Sequence, residues 1–399
     1  MRPALVLLAL VAAVSAAARE YRLTLTPAAQ DRAGQVIAFA LPGDAPKRAA
    51  LRDGAGRTVA VQADADGTAR FIVPWQTAGE SLAFTLVAGE KSGGDAVVVA
   101  PAGGHLRVNV GGEPVLVYRM DRADLPRAGI VPEIVRAGYV HPIFSPAGKL
   151  VTDDYPPNHP HHHGIWAPWT KASFQGRAPD FWNMQNKTGA EEFVALDRKW
   201  SGPVHGGFSA RLKMTDSSAP APVDALRSIW ELTTYAIAGE TRPVRMFDLT
   251  VTQSCATADP LILPEYHYGG FGFRGADAWN GPGAAARFLT SEGETDRLKG
   301  NNTRVRWCYL GGVVEGGALA GTATLGHPGN FRAPQPVRLH PNMPYFSLVP
   351  QQLGEFRIEP GQPYVARFRF VVADGAPDPA LLEAYWRGYA EPAAVTISR

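Results

Sequence analysis

Short segments in which apolar and polar residues alternate set the strongest limit on how this chain can fold. Leu106, Val108 and Val110 alternate with polar side chains, a period of two that is typical of a half-buried strand. A Gly-Gly pair at 111–112 follows and leads into a second apolar segment at 115–118. Two such segments joined by two glycines predict a β-hairpin.

The same alternation recurs along the rest of the chain. It predicts strands near Tyr21, around Trp230 and from 364 to 370, the last with Arg367 and Arg369 on the opposite face. Antiparallel strands with one apolar and one wet face have this pattern. Glycine (42) and proline (34) together make 76 of 399 residues, which suits a turn-rich fold and lies below the ~25–30% of low-complexity disorder. The residues therefore predict an all-β fold with antiparallel sheets.

One helix is predicted, near the C-terminal end. Asp378 is a suitable N-cap, and Pro379 suits the first turn. Apolar residues then recur at helical spacing, namely Leu381, Leu382, Tyr385, Trp386 and Tyr389. Such a stripe usually packs into a core, so we expect this helix to cover an edge or an end of the sheets.

The chain is long enough for two folded units, at roughly 150 residues per domain. Residues 1–18 have the pattern of an export signal, with Arg2 before a short apolar segment and alanines at the cleavage site. We predict a small accessory β-sandwich at 19–100, ending in a glycine-rich linker at 89–94, and a larger β-supersandwich at 101–399. No later apolar segment approaches the ~20 residues of a membrane span. We therefore expect a soluble periplasmic or secreted protein.

Charge and cysteine content exclude other classes of protein. The chain has 39 Lys plus Arg and 37 Asp plus Glu, a net charge of +2, so no basic surface is predicted for nucleic acid or anionic lipid. Cys255 and Cys308 are the only cysteines. Export permits a disulfide between them, but two cysteines are no disulfide framework. The sequence leaves their pairing open, and the oligomeric state with it.

Four of the ten histidines lie between residues 159 and 163, beside three prolines. Proline lacks an amide donor and restricts its neighbours, so the segment is a poor helix and a poor central strand. We predict an ordered loop that presents imidazoles at fixed angles. An imidazole at neutral pH serves as a proton carrier, a metal ligand or a hydrogen-bonding recognition group.

A metal site is one use of this segment. His161 and His163 would share one side if the segment were extended, and such a pair is compatible with a divalent metal (Zn, Ca or Cu). One pair is an incomplete ligand set, so the residues commit to no cofactor.

A second polar segment contains Glu265 and His267, with Arg274 seven residues later. On a strand, Glu265 and His267 would share a face, so that one could orient the other. The structural alternative is a buried ion pair between Glu265 and Arg274 that braces a β-bulge.

Aromatic residues with polar tips accompany both segments. Aromatic faces stack on the C–H faces of sugars, while polar tips satisfy sugar hydroxyls. The predicted substrate-binding residues are Trp166, Trp182, Tyr268, His340 and Tyr345.

Five motifs of the chain also occur together in a known family. They are H-P-I-F-S-P-A-G from His141, N-H-P-H-H-H-G-I-W from Asn158, D-F-W from Asp180, Y-G-G-F-G-F-R-G from Tyr268, and H-P-N-M-P-Y-F from His340. In these motifs the chain resembles the bacterial PmoA-like family over roughly residues 105 to 390. Relatives commonly read D-H-P-H-H-R-G, whereas this chain has Asn158 and His163 in place of the acid and the arginine.

The resemblance implies an exported, β-rich protein with a galactose-mutarotase-like supersandwich. That fold often carries carbohydrate hydrolases, lyases and epimerases, although the fold alone does not decide function. Methane oxidation, which the family name suggests, is not expected, because the true monooxygenase subunit is an integral membrane protein and no spanning segment is predicted here.

Three functional hypotheses remain open. The first is a periplasmic hydrolase or lyase that acts on a glycan fragment. In a lyase, a histidine or a tyrosine would take the proton on the carbon beside a carboxylate, while Arg274 or a metal stabilises the enolate charge. In a hydrolase, Glu265 would need Asp153 or Asp154 as its partner. The predicted catalytic residues are His159, His161, His162, Glu265, His267 and Arg274.

The second hypothesis is a carbohydrate-binding protein without catalysis, and the third is a histidine-ligated metalloprotein. The predicted partner is a small-molecule or oligosaccharide ligand in the first two cases.

Overall fold

The computed structural model describes residues 20–43, 49–88, 93–122, 124–237, 242–281 and 286–399. Over these residues the chain consists mostly of antiparallel strands, with only short helices. The all-β, sandwich-like fold predicted from the sequence is therefore confirmed. The predicted export signal at 1–18 and residues 89–92 of the predicted linker lie outside the described residues.

The first part of the chain forms a small sandwich of two sheets. Its strands are β1 (Tyr21–Leu25), β2 (Arg32–Ala40), β3 (Ala49–Asp53), β4 (Thr58–Val59), β5 (Gln62–Ala63), β6 (Thr68–Gln76) and β7 (Leu82–Ala88). One sheet contains β1, β7, β3 and β4, and the other contains β2, β6 and β5. Leu23, Phe71 and Phe84 belong to the apolar core between them. The last strand of the chain, Val395–Ser398, pairs with β1.

The remaining strands build a larger sandwich. They are β8 (Val97–Ala102), β9 (His105–Val110), β10 (Glu113–Arg119), β11 (Tyr139–Ile143), β12 (Ile165–Trp166), β13 (Gly189–Trp200), β14 (His205–Asp216), β15 (Val223–Tyr235), β16 (Val244–Cys255), β17 (Leu261–Leu263), β18 (Gly272–Arg274), β19 (Arg287–Thr290), β20 (Arg304–Val305), β21 (Trp307–Val313), β22 (Leu319–Gly326), β23 (Gln335–Leu339), β24 (Tyr345–Leu348), β25 (Phe356–Ile358) and β26 (Tyr364–Asp374). The strand that pairs with β1 in the small sandwich, Val395–Ser398, is β27. The α-helices of the described part are α1 (Arg297–Gly300) and α2 (Pro379–Ala390), and short 3-10 turns span Pro132–Ile134, Met184–Asn186, Asp277–Trp279 and Pro350–Leu353.

Two large sheets face each other in this sandwich. A nine-stranded sheet has the order β20-β23-β24-β18-β12-β11-β10-β9-β8, and an eight-stranded sheet has the order β13-β14-β15-β16-β26-β22-β21-β19. Strands β17 and β25 form a separate ribbon. The main apolar core contains Val140 and Phe346 from the nine-stranded sheet and Leu249 and Phe368 from the eight-stranded sheet.

The predicted hairpin and helix are both present. Strands β9 and β10 pair antiparallel, with Val110 opposite Glu113. Gly111 and Gly112 have φ of 62° and 88°, the left-handed values that a tight two-residue hairpin requires. Asp378 caps α2, because its side chain accepts from the amides of residues 380 and 381.

Helix α2 packs on the outer face of the eight-stranded sheet. Leu382 and Tyr385 of the helix share an apolar cluster with Met246 of β16 and Val371 of β26. The sequence predicted that the apolar stripe of this helix packs into a core, and this is confirmed at Leu382 and Tyr385.

Two further features concern the cysteines and the possibility of a membrane-spanning helix. Cys255 and Cys308 are free thiols. No helix in the described ranges has both the length and the apolar character needed to cross a membrane.

The outer face of the nine-stranded sheet carries the polar side chains of interest. Side chains alternate across a strand, so β11, β12, β18 and β24 each place one residue in the main core and its neighbour on the other face. The core residues are Val140, Ile165, Phe273 and Phe346, and the outer neighbours are Tyr139, Trp166, Arg274 and Tyr345. Residues 156–163, called the histidine loop below, pack against this face.

Candidate functional site

The histidine loop is ordered by two consecutive tight turns. The amide of His159 donates to the carbonyl of Pro156 at 3.0 Å, and the amide of His162 donates to the carbonyl of His159 at 2.9 Å. Pro157 and Pro160 each take the second position of a turn, where the fixed φ of proline is favourable. The prolines thus explain why this segment holds one conformation without belonging to a strand.

The loop gathers imidazoles on one side of the sheet. The ring centroid of His159 lies 5.6 Å from that of His161, 5.0 Å from that of His162 and 5.7 Å from that of His340. His162 is buried, whereas the other three rings are partly exposed. His161 and His340, both partly exposed, therefore lie next to His159 at the surface.

An aromatic row continues from His162 along the sheet. The His162 ring lies 4.7 Å from Tyr345 and 5.2 Å from Trp166, measured between centroids. Trp166 lies 4.7 Å from Trp182, which lies 5.4 Å from Tyr268. Together with His340, these are the residues predicted to bind substrate, and the fold brings them into one connected group.

Arg274 lies beneath the loop and is 0% exposed. Its Nη2 donates to Oδ1 of Asn280 at 2.8 Å and to Oδ1 of Asn158 at 3.3 Å. Its Nη1 lies 3.4 Å from Nδ1 of His162 and 3.2 Å from Sδ of Met343. These four partners are neutral, so they orient the guanidinium without cancelling its charge.

The carboxylate nearest to this guanidinium belongs to Asp153. Its Oδ2 is 3.8 Å from Nε of Arg274, which is too long for a hydrogen bond, and neither atom has a hydrogen-bond partner among the described residues. Burial lowers the pKa of Arg274 to about 10, and burial raises the pKa of Asp153 to about 6. The arginine is still charged at neutral pH, and its charge is weakly compensated.

Hydrogen bonds assign the tautomers of two histidines. Nδ1 of His162 faces a donor of Arg274, and Nδ1 of His340 accepts from the amide of Asn342 at 3.2 Å. In both neutral rings the proton is therefore on Nε2. The His161 ring has no hydrogen bond to a described residue, so its unprotonated nitrogen is available to accept a proton.

The imidazoles of the site are neutral. Burial, followed by the neighbouring imidazoles, lowers the pKa of His161 to about 3. Burial, followed by the charge of Arg338, lowers the pKa of His340 to about 4. Burial also lowers the pKa of His159 and lowers that of His162 well below its usual value. Each ring can therefore act as a base or as a neutral donor, but not as a resident cation.

His163 is turned away from the other loop histidines. Its Nδ1 lies 2.6 Å from Oδ1 of Asp154, whose Oδ2 accepts from the Tyr139 hydroxyl at 2.9 Å. Burial lowers the pKa of His163 well below its usual value and raises that of Asp154. The turn at 159–162 replaces the extended backbone that would have put His161 and His163 on one side.

The two histidines considered as a metal pair have different partners: His163 is bonded to Asp154, whereas His161 packs against His159 and His162. Within the described ranges, no group of three or more His, Cys, Asp or Glu side chains is placed to hold a metal ion.

Glu265 and His267 lie elsewhere. Both are exposed, and they line a separate depression of about 380 Å³ with Tyr266, Asn302 and Gln352. No hydrogen bond or ring contact in the described part joins either residue to the loop histidines. The structure thus brings His159, His161, His162 and Arg274 together and leaves the other two predicted catalytic residues outside that group.

Sequence reasoning missed several residues that organise the site. Tyr139 alternates with the core residue Val140 on β11, a signal that could have identified it. Asn280 follows a 3-10 turn and reaches Arg274 through the folded chain, so no local pattern marks it. Arg136 and Glu191 form a buried pair at 3.3 Å, and they lie too far apart in sequence to be matched by spacing.

Comparison with known families corrects the resemblance drawn from the motifs. Residues 105–387 match a family described as "Family of unknown function (DUF6807)". No match to a PmoA family is found, so the assignment to the PmoA-like family is wrong; short loop motifs shaped by proline and glycine were an insufficient basis for it. No curated protein matches the chain. Because the match covers more than half of the residues, the chain belongs to the DUF6807 family.

Proposed function

We propose that the protein is an exported, carbohydrate-active lyase that acts on an acidic glycan fragment at the histidine loop. One observation carries the proposal. Partly exposed, neutral imidazoles lie in contact with His162, behind which a buried guanidinium has its nearest carboxylate 3.8 Å away. Such a site offers proton carriers beside a buried guanidinium that no carboxylate hydrogen-bonds, which favours an anionic ligand.

The reaction that fits these groups is an elimination. A base removes the proton on the carbon beside the sugar carboxylate, and the electron pair forms a C=C bond as the neighbouring C–O bond breaks. The leaving oxygen then receives a proton, so that atoms and charge balance. His161 suits the base because its unprotonated ring nitrogen has no hydrogen bond, and the imidazolium that it becomes returns the proton to the leaving oxygen. His340 donates a hydrogen bond to that oxygen from its protonated Nε2.

Substrate binding would tune the base. A pKa of about 3 is low for a base at neutral pH. A sugar carboxylate bound nearby favours the protonated imidazole and raises that pKa. Binding of the acidic ligand and activation of His161 are therefore coupled.

Arg274 acts from behind the histidines. Its side chain is fully buried, so it is a positioning residue that orients His162 and Asn158. Its charge also reaches the ligand, since two unit charges ~8 Å apart interact by ~2 kcal/mol at an effective dielectric constant of ~20.

A lyase suits the carboxylates better than a hydrolase does. Glycoside hydrolysis needs two carboxyl groups that flank one bond, ~5–9.5 Å apart. Both carboxylate oxygens of Asp154 already have hydrogen-bond partners, in His163 and Tyr139. Glu265 lies in the separate depression. Asp153 remains beside the histidine loop, and Asp277, which lies near enough to affect the pKa of Asp153, already accepts a hydrogen bond from Nδ2 of Asn280 at 3.0 Å.

Binding without turnover is the second candidate. The partly exposed rings of Tyr268 and Tyr266, whose centroids lie 5.1 Å apart, favour it, because such rings hold a sugar by stacking without any chemistry.

The experiment uses purified protein and acidic oligosaccharides, with the same oligosaccharides after carboxyl reduction as the matched control. The proposal expects ultraviolet absorbance from an unsaturated product with the acidic fragments alone. New reducing ends without that absorbance would identify a hydrolase, and binding without either product would favour the second candidate.

Export is tested separately by fractionating cells that express the full chain. We expect the protein in the periplasm or the medium with residues 1–18 removed. Intact protein confined to the cytoplasm would contradict this part of the proposal.

A further inference from the structure

We infer that the depression beside Glu265 is a second sugar-binding subsite, and that the ligand is an oligosaccharide extending from the histidine loop into it. Glu265, Tyr266, His267, Asn302 and Gln352 line this depression. The inference rests on the proposed function for the class of ligand, and it goes further by fixing where the glycan extends and that several rings are bound.

A continuous row of rings joins the two places. Trp182, beside the histidine loop, lies 5.4 Å from Tyr268 between centroids. Tyr268 lies 5.1 Å from Tyr266 and 4.8 Å from His267. Asn183 fixes the middle of the row, because its Nδ2 donates to the Tyr268 hydroxyl at 3.1 Å. Tyr266 and Tyr268 are partly exposed and can stack on a sugar ring, whereas Trp182 is buried and supports Tyr268 from beneath.

The polar groups of the depression are available to a ligand. Glu265 is exposed, and its carboxylate has no hydrogen bond or ion pair with a described residue. A free carboxylate accepts hydrogen bonds from sugar hydroxyls. The backbone beneath is held in place, since Nε2 of Gln352 donates to the carbonyl of His267 at 3.2 Å.

Positive charge beside the row matches an acidic glycan. Nζ of Lys171 lies 5.9 Å from the centroid of Tyr266. The charge of Arg338, after burial, lowers the pKa of both His267 and His340, so this arginine is near both the depression and the histidine site. A chain of uronic acids would meet a cation at each end of the row.

One segment of the chain supplies both sites because it bends sharply between them. Gly270 follows Tyr268 closely and has φ of 79°. A Cβ at Gly270 would lie 2.3 Å from Cη2 of Trp169, so only glycine fits. The bend separates the depression at 265–267 from Arg274 on β18.

The test compares an acidic disaccharide with an acidic tetrasaccharide, using kcat/KM and calorimetric binding. Wild-type protein should prefer the tetrasaccharide by ~10-fold or more. Tyr266→Ala and Glu265→Gln should each remove most of that gain, ~3- to 10-fold, and leave the disaccharide unaffected, because stacking and hydrogen bonds to the distal ring are lost. Trp75→Ala and Glu315→Gln change an exposed tryptophan and an exposed glutamate outside the row and should alter neither value.

The outcomes separate this inference from the proposed function. Turnover of the disaccharide with no gain from length, or equal losses on both substrates, overturns the subsite and leaves the lyase standing. Tight binding of the tetrasaccharide that Tyr266→Ala weakens, without turnover, supports the subsite and overturns the lyase. Binding of neither fragment overturns both.

Discussion

Two buried arginines on opposite outer faces of the large sandwich are treated differently by the fold. Arg369 of β26 donates from Nε and Nη2 to the two carboxylate oxygens of Asp248 at 2.7 and 2.9 Å, and from Nη1 to the carbonyl of Gly34 at 2.8 Å. Arg274 of β18 has neutral partners and a carboxylate 3.8 Å away. The first arginine is paired in full, and the second is not.

We propose that this difference separates a structural charge from a functional one. Burial opposes the charge of Arg369, yet Asp248 raises its pKa above the ordinary value, and the pair joins β16, β26 and the small sandwich. For Arg274, burial prevails and lowers the pKa to about 10. A buried charge that no carboxylate hydrogen-bonds costs stability, a cost that the proposed anionic ligand would offset.

On the histidine face, we expect substitution to remove function while the fold persists. His161→Ala should lower turnover of the acidic glycan by ~10²–10⁴-fold, because a proton carrier is lost. The change in unfolding free energy should stay within ~1 kcal/mol, since the ring is partly exposed on a loop. Denaturant unfolding and kcat measured on one preparation check both values. A fully active variant would remove His161 from the site, and an unfolded one would make it structural.

On the outer face of the eight-stranded sheet, which α2 covers, we expect substitution to destabilise the fold while glycan binding persists. Arg369→Met should lower the unfolding free energy by ~2–4 kcal/mol, because the partly buried Asp248 loses its charged partner and keeps only the hydrogen bond from the Tyr235 hydroxyl. At a temperature where the variant remains folded, glycan binding should match that of the wild type. A loss of glycan binding in the folded variant would contradict a purely structural role for Arg369.

The pH dependence of stability tests how weakly Asp153 is paired with Arg274. Its folded-state pKa is raised by burial from 3.8 to about 6, so the carboxyl stabilises the fold when protonated, and this contribution is lost as pH rises from about 4 through about 6. Asn cannot titrate. The stability of the wild type relative to Asp153→Asn should therefore fall by ~1–3 kcal/mol over that range. Denaturant unfolding at several pH values measures it, and a constant difference would show that Asp153 is better paired than the 3.8 Å separation implies.

The parts of the fold that could be predicted are those written in local patterns. Alternation at Leu106, Val108 and Val110 identified β9, and Asp378 with Pro379 identified the start of α2. Proline spacing identified the histidine loop as ordered. Each of these depends on the geometry of a few consecutive residues.

The composition of the site depends on long-range packing and was predicted only in part. Alternation tells which residues share a face of one strand, but not which strands become neighbours. Asn280 contacts Arg274 because the folded chain brings the 3-10 turn before Asn280 next to β18. The bend at Gly270 separates Glu265 from the same arginine. His163 was misplaced because a tight turn, not a strand, decides the direction of its ring.

The central claim is that the weakly compensated charge of Arg274 selects an acidic ligand. The most direct measurement is the ratio of kcat/KM for an acidic glycan fragment to that for its carboxyl-reduced counterpart, in the wild type, Arg274→Met and Arg274→Lys. We predict a ratio well above one in the wild type, a ~10- to 100-fold fall in Arg274→Met because the charge is removed, and a smaller fall in Arg274→Lys, which keeps it. An unchanged ratio in folded Arg274→Met would contradict the account.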